Sequence, residues 1–163
     1  MPKRPFRLGR SLTGFGVFAT QDIRKRARVA EYRGRLLPTP EAERIEAGGN
    51  RYLFEINSRW TLDGTARRNF ARYFNHSCNP NAEAYVVKLR VFLRAMRRIK
   101  PGEEITYDYG RDYLKNVIGL SNCRCGRCRR RRAKKARARY AANKRAERAK
   151  KARARNSRRR NSR

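Results

Sequence analysis

One stretch of ten residues, RYFNHSCNPN from Arg72 to Asn81, carries most of the information in this 163-residue chain. It combines amides, an imidazole and a thiol around a single proline, whereas strands favour β-branched and aromatic residues. A polar loop whose Asn side chains cap neighbouring backbone groups accounts for any one of these residues taken alone. The string as a whole indicates a function only if matching motifs occur elsewhere in the chain.

Four shorter motifs accompany this stretch. They are GFG at 14–16, EYRG at 31–34, YLFEI at 52–56 and GEEITYDYG at 102–110. GFG alone is weak, because it lacks the length and the lysine of a phosphate-binding loop. In this order, and with the cysteines that follow, the motifs resemble the SET domain of protein lysine methyltransferases. The resemblance spans about residues 6–128.

The resemblance implies a mostly β fold, a SET domain of small curved sheets with a C-terminal pseudoknot, over residues 1–120. In this arrangement the C-terminal segment passes beneath a loop formed by an earlier stretch and brings Asn75-His76 beside Tyr107–Tyr109. A post-SET zinc-binding segment is expected at 121–128, and a disordered tail rich in Arg, Lys and Ala at 129–163.

Hydrophobic periodicity by itself predicts only short strands and little helix. The predicted strands are Val17–Ala19, Arg28–Tyr32, Tyr52–Ile56, Trp60–Leu62, Glu83–Val87, Val91–Ala95 and Glu104–Tyr107. One short helix is predicted to begin with Thr39 as its cap and Pro40 in its first turn, and to stop at Gly48-Gly49. Lys100–Glu103 has Pro and Gly at the central positions of a type II turn.

S-adenosylmethionine is the cofactor that the resemblance implies. The candidate cofactor-binding residues are Gly14, Phe15, Gly16, Arg72, Asn75, His76 and Tyr109. Glycine allows the backbone to approach a ligand because no Cβ intrudes, and many relatives have Trp in place of Phe15. His76, the only histidine, could act as a general base, but a structural or cofactor-contacting role is favoured over that one.

The candidate catalytic residues are tyrosines, which by resemblance line a narrow tunnel for the target lysine. They are Tyr109, Tyr107, Tyr32 and Tyr52, with Tyr109 at the most sensitive position. In-line methyl transfer needs alignment, a neutral amine and little water. Strand packing explains each tyrosine singly. The fact that the four tyrosines lie within motifs of the resemblance favours the tunnel. Relatives with Phe at the position of Tyr107 leave more space, so mono- or dimethylation is expected here.

Four cysteines form a second group of candidate site residues. Cys123, Cys125 and Cys128 lie close together in sequence, and Cys78 is distant from them. Structural zinc takes four tetrahedral ligands, and the resemblance implies that these four cysteines bind Zn²⁺; free buried thiols are the alternative. Relatives commonly place four residues between the last two cysteines where this chain has Gly126-Arg127, so the loop must be tighter. Arg129–Arg132 also replaces a more apolar segment that often covers adenine.

Charge divides the chain sharply. Residues 129–163 contain 19 Lys or Arg and one acid, Glu147, and so carry +18 of the formal net charge of +32. Such a segment cannot build a core and is expected to be disordered when free, becoming helical where phosphates neutralise it. Nucleic acid is the expected partner. An anionic membrane is disfavoured, because the tail offers only Ala and Tyr140 as apolar residues.

The substrate expected from the resemblance is a basic protein such as a histone or histone-like protein, possibly including the chain's own lysine-rich tail. A basic target calls for acidic residues around the tunnel, yet residues 1–128 carry 26 basic and 12 acidic residues. The sequence leaves this mismatch unexplained. With no apolar run for a membrane span or signal peptide, we expect an intracellular location, on chromatin in a nucleus or on a bacterial nucleoid.

Two other functions compete with a methyltransferase. The first is a catalytically silent nucleic-acid-binding chromatin or nucleoid protein with a zinc-stabilised SET core, and the basic tail fits it equally well. Tyr109, Tyr32, Asn75 and His76 favour the enzyme, because an architectural protein does not need them. The second, a metal-dependent hydrolase built on His76 and the thiols, needs an open metal position and a base that no local motif provides.

Overall fold

The computed structural model describes residues 5–161, with side chains from residue 5 to residue 151. The first four residues of the predicted 1–120 domain and the last two of the predicted 129–163 tail lie outside this range. The elements in chain order are β1 (Phe6–Ser11), β2 (Gly14–Ala19), β3 (Arg28–Tyr32), β4 (Arg35–Pro38), α1 (Thr39–Ala47), β5 (Leu53–Glu55), β6 (Trp60–Asp63), a 3₁₀ turn (Phe70–Tyr73), β7 (Asn75–His76), β8 (Ala82–Val87), β9 (Arg90–Ala95), β10 (Thr106–Tyr107), α2 (Arg111–Tyr113), a π turn (Leu114–Ile118) and α3 (Gly126–Asn161).

All seven predicted strands are confirmed, each overlapping one of the strands of the structure. The sequence missed β1, β4 and β7. β1 contains two arginines and a glycine among its six residues, and β7 consists of Asn75 and His76 alone. Neither has the alternation of apolar residues by which a strand is detected, because tertiary hydrogen bonds rather than local propensity form them.

The strands form four small sheets. β1 pairs antiparallel with β2, β9 lies between β3 and β8, β6 lies between β4 and β5, and β7 pairs with β10. A core of fully buried aliphatic residues includes Val17, Val91, Leu93, Ile99 and Ile105. These residues come from different sheets and from the segment before β10, so burial of apolar surface holds the sheets together. The mostly β fold class is confirmed.

The pairing of β7 with β10 is parallel, with Asn75 opposite Thr106 and His76 opposite Tyr107. Asn81, which is 4% exposed, supports it: its Oδ1 accepts from the Thr106 backbone N–H at 2.9 Å and its Nδ2 donates to the Glu104 carbonyl at 2.8 Å. The predicted meeting of Asn75-His76 with the segment around Tyr107 is therefore confirmed.

Helix α1 and the turn before β10 match their predictions closely. The prediction that Thr39 caps α1 is wrong: the N-cap is Pro38, which makes no side-chain cap bond, and Gly48 ends the helix. The turn has Gly102 at φ +83° and a Glu103 N–H bond to the Lys100 carbonyl at 3.1 Å. This geometry agrees with the predicted type II turn.

The basic segment differs from the expectation of disorder. The structure has one helix of 36 residues, α3, over Gly126–Asn161, and every side chain described after Cys128 is exposed. Ala, Arg and Lys are among the strongest helix formers, and the length of the segment offsets the cost of starting a helix. The helix that the composition predicts for the phosphate-bound state is the conformation of this segment in the structure.

The chain divides into two compact units, residues 1–125 and 126–163. The first contains all the sheets and the second consists of α3. No helix within the described residues is both long enough and apolar enough to cross a membrane.

Candidate active site

The GFG motif lies on β2, and its two glycines have different roles. Gly14 has φ +110° and open space around it, so it provides a backbone conformation that other residues rarely adopt. A Cβ on Gly16 would lie 2.4 Å from Glu104 Oε1 and 3.0 Å from Asn75 Nδ2. Gly16 therefore allows close packing within the protein at this point.

Asn75 is held in one orientation by two acceptors. Its Nδ2 donates to the Phe15 carbonyl at 2.9 Å and to Glu104 Oε1 at 2.7 Å, and the same carboxylate oxygen accepts from Ser11 Oγ at 2.7 Å. Both amide hydrogens are therefore used within the protein. The Oδ1 atom, which has no hydrogen-bond partner among the described residues, is left to accept from a ligand. Sequence reasoning missed Glu104, although it lies in the GEEITYDYG motif.

Arg72 lies on the wall of the same cavity as Asn75. Its Nη1 donates to the Thr65 carbonyl, and its guanidinium lies over the Tyr52 ring, 3.8 Å from the centroid. Its buried Nε has no hydrogen-bond partner among the described residues. An unpaired buried donor costs free energy, so this nitrogen is a candidate contact for a ligand in the cavity.

His76 uses both ring nitrogens within the protein. The Tyr109 backbone N–H donates to Nδ1 at 3.2 Å, so Nε2 carries the proton and points at Cys78 Sγ, 3.2 Å away. Burial lowers the pKa of His76, and nearby Asp108 opposes that effect only in part. This geometry supports the structural role that the sequence favoured and leaves no free nitrogen for a general base.

The four candidate tyrosines line one cavity of about 910 Å³, together with Tyr73, Tyr113, Phe15, Phe54 and Asn75. Tyr107 and Tyr109 have ring centroids 4.8 Å apart, and Phe54 stacks on Tyr107 at 6.5 Å. The Tyr109 hydroxyl donates to the Phe74 carbonyl at 2.7 Å, and the Tyr32 hydroxyl donates to the Tyr52 carbonyl at 2.8 Å. The structure thus brings the predicted tyrosines together.

Burial raises the pKa of Tyr32, Tyr107 and Tyr109 above the ordinary value, as the charged phenolate is disfavoured in a dry environment. All three hydroxyls are therefore protonated at neutral pH, and those of Tyr32 and Tyr109 donate to backbone carbonyls. Tyr107 is 6% exposed, and its hydroxyl has no hydrogen-bond partner among the described residues. The hydroxyls of Tyr32 and Tyr109, in contrast, each have a hydrogen-bond acceptor.

Sequence reasoning also missed Tyr113 and Phe54 as parts of this cavity. The Tyr109 and Tyr113 rings make an edge contact at 5.4 Å, and the Tyr113 hydroxyl donates to the Arg51 carbonyl at 2.8 Å. Tyr113 follows the GEEITYDYG motif by one helical turn, on α2. No local pattern indicates the contact, because Gly110, at φ +89°, separates Tyr109 from the helix.

The four cysteine sulfur atoms all lie within 4.8 Å of one another. Cys78 Sγ and Cys123 Sγ are 3.9 Å apart. Sulfur atoms about 2.3 Å from a tetrahedral zinc ion are about 3.8 Å from each other, so the set fits a structural zinc site with four thiolates. Cys123 and Cys125 are buried. The tight spacing across Gly126-Arg127 is therefore compatible with a complete ligand set, and these cysteines could hold a zinc ion.

Comparison with known proteins agrees with this geometry. The family model described as SET domain matches residues 14–110, more than half of the chain. The chain belongs to the SET domain family. Histone-lysine N-methyltransferase mes-4 of Caenorhabditis elegans is 33% identical over 134 residues, which are 69% of this chain and 15% of that protein. Histone-lysine N-methyltransferase 2D of Homo sapiens is 38% identical over 124 residues, 71% of this chain and 2% of that protein.

Two solved structures contain a similar SET domain. A ctPRC2 structure in complex with H3K27me3 and H3K27M has a TM-score of 0.63 and 28% identity, covering 71% of this chain and 15% of that chain. A ctPRC2 structure in an autoinhibited conformation, bound to S-adenosylmethionine, has a TM-score of 0.60 and 30% identity. The match covers 69% of this chain and 16% of that chain. The chain therefore spans only a small part of the length of these relatives.

We expect the purified chain to contain about one zinc ion per molecule, held by four thiolates. Cys78→Ser removes one ligand and should lower the zinc content and the midpoint of thermal unfolding together, because metal binding and folding are linked. Elemental analysis and a melting curve measure both quantities. Ser121→Ala, an exposed change that removes no thiol, is the control. Full zinc retention by Cys78→Ser contradicts the four-cysteine site.

Proposed function

We propose that this SET domain chain is a protein-lysine N-methyltransferase that uses S-adenosylmethionine. S-adenosylmethionine supplies a methyl group on a sulfonium, which passes to a lysine amine in an in-line displacement. The observation that carries the proposal is one cavity lined by Gly14, Phe15 and Asn75 of the cofactor motifs and also by Tyr107 and Tyr109. The methyl donor and the target lysine would therefore bind in neighbouring parts of a single pocket.

The residues around the cavity suit this reaction in three ways. Aromatic side chains exclude water, and a dry environment lowers the pKa of a lysine amine, so that the neutral nucleophile forms more readily. The Tyr109 hydroxyl, tied to the Phe74 carbonyl, holds its ring against Tyr107 and aligns the wall of the passage. Proton loss to water then suffices, and no residue is required as a dedicated base.

The substrate that we propose is a basic protein, such as a histone or histone-like protein. Two of the relatives are named histone-lysine N-methyltransferases, and one structural neighbour is described with H3K27me3. We propose a location on chromatin or on a nucleoid for the same reason. Exposed lysines of α3, including Lys134, Lys135, Lys144, Lys150 and Lys151, make the chain itself a further candidate substrate.

Radiolabelled methyl transfer to histones, to basic nucleoid proteins and to the chain itself tests the activity. The wild-type chain should label at least one of these proteins. We expect Tyr109→Phe to lower kcat by roughly 10- to 100-fold, because it loses the hydroxyl that fixes the ring. Tyr140→Phe, an exposed change on α3, should leave the rate unchanged. Failure of zinc-loaded protein to bind the methyl donor would falsify the enzymatic function.

The product is proposed to be mainly monomethyllysine, with dimethyllysine as the upper limit. Tyr107 is 6% exposed, and its hydroxyl has no hydrogen-bond partner among the described residues, so it is free to hold the amine and to fill space beside it. Tyr107→Phe removes this group, and we expect the product to shift toward higher methylation. Mass spectrometry of a lysine peptide measures the shift. Efficient trimethylation by the unaltered chain contradicts the proposal.

We also propose that residues 129–163 bind nucleic acid. Lys and Arg surround α3, and each phosphate contact releases counterions, so that binding weakens steeply with salt. A chain that ends at Cys128 should lose most of its affinity for DNA and RNA, measured by fluorescence anisotropy at several salt concentrations. Its methyl transfer to a short peptide should persist. Equal affinity of the two chains for DNA argues against this role.

The catalytically silent alternative shares the basic segment and the zinc site. It gains no support from the cavity, since a nucleic-acid-binding scaffold has no use for a wall of tyrosines beside the cofactor motifs. Detectable transfer by the wild-type chain and its loss in Tyr109→Phe separate the two functions.

A further inference from the structure

The charges that line the cavity differ from those of the rest of the sheet-containing unit. Residues 1–128 contain 26 basic and 12 acidic residues, whereas the lining of the cavity contains four acids and three arginines. The four acids are Glu43 and Glu46 on α1, Glu55 on β5 and Asp112 on α2. We refer to these four as the acidic wall.

Every other acid of residues 5–128 has a partner. Five carboxylates pair with arginine, Asp108 accepts a hydrogen bond from the Gly110 backbone N–H at 3.0 Å, and Asp63 and Glu104 accept hydrogen bonds from neutral side chains. The five paired acids are Asp22, Glu31, Glu41, Glu83 and Glu103. The carboxylates of the acidic wall form no ion pair and no hydrogen bond with the side chains that the structure describes. Basic residues are about twice as common as acids in residues 1–128. Four carboxylates at one cavity without a cationic partner are therefore unexpected.

The arginines of the cavity do not neutralise the acidic wall. Arg51 Nη1 donates to the Val117 carbonyl at 2.9 Å, and Arg72 lies over the Tyr52 ring. Arg111 forms no ion pair with an acid of the wall. The acidic wall is thus left with its charge directed to solvent or to a ligand.

A separate observation points to a polar ligand in this cavity. Tyr107 is 6% exposed and lines the cavity, and its hydroxyl has no hydrogen-bond partner among the described residues, so it is available to a ligand. The Nε atom of Arg72, in the same lining, is buried without a partner among the described residues, which is costly unless a ligand atom meets it. Glu43 and Glu46 are three residues apart on α1 and so share one face of the helix.

We propose that the acidic wall selects a lysine whose own chain carries arginine or lysine within a few residues of it. The inference rests on the proposed lysine methylation and specifies which sequences that site accepts. The target amine enters the aromatic passage, and the neighbouring cations pair with the acidic wall outside it. Complementary charges at such exposed positions set specificity more than overall affinity.

Two peptides that share one lysine, and differ only in whether its neighbours are Arg or Gln, test this directly. For the wild-type chain we expect a kcat/KM about tenfold higher with the Arg peptide. Glu43→Gln with Glu46→Gln should lower that ratio by about fivefold, since exposed ion pairs contribute modestly. The preference should also shrink as salt shortens the range of the charges.

Glu83→Gln is the matched control, because it removes one negative charge at an acid that pairs with Arg94 and does not line the cavity. It should keep the full preference for the Arg peptide. Melting curves verify that all variants are folded. Equal kcat/KM values of the wild-type chain for the two peptides, or a preference that is undiminished in the double variant, overturn the inference.

Binding of the same peptides, labelled with a fluorophore, separates this inference from the proposed function. If folded, zinc-loaded protein methylates neither peptide, the proposed function fails, and the binding preference still decides the role of the acidic wall. Tighter binding of the Arg peptide by wild type than by the double variant supports the inference. Binding that does not depend on Glu43 and Glu46 refutes it.

Discussion

The parallel pairing of β7 with β10 joins the two segments that supply the candidate active site. Two residues on each side form it, and alone they would contribute little to stability. Asn81 makes the pairing durable, because it is buried and its side chain satisfies backbone groups of Glu104 and Thr106. Without this junction, Asn75 and Tyr109 would not face a common cavity.

A single imidazole connects this junction to the cysteine cluster. His76 accepts from the Tyr109 backbone through one nitrogen and directs the other at Cys78 Sγ. Donation to a ligating sulfur is a common way for a protein to orient a metal ligand. The position of the tyrosine wall and the geometry of the thiols are therefore coupled through one side chain, which explains why a histidine without access to the cavity belongs in the motif.

Net charge is a poor guide to the local field in this chain. The sheet-containing unit is basic overall, and five of its twelve acids pair with arginines at its surface, while the acidic wall does not. A basic substrate and a basic enzyme are then compatible, because short-range charges at the cavity are screened less from a docked ligand than distant surface charges are. The excess positive charge is concentrated in α3.

Residue types within short motifs were enough to predict the family, the seven strands with apolar runs, the candidate tyrosines and the four thiols. The folded chain was needed to find the partners of Asn75, the occupied nitrogens of His76, the place of Glu104 and Tyr113, and the unpaired state of the acidic wall. These features arise from side chains far apart in sequence, and no local pattern encodes which distant group a carboxylate meets. The helical state of α3 was predicted in part. The helix propensity of its residues is evident from the sequence, but its high charge and lack of core residues favoured disorder.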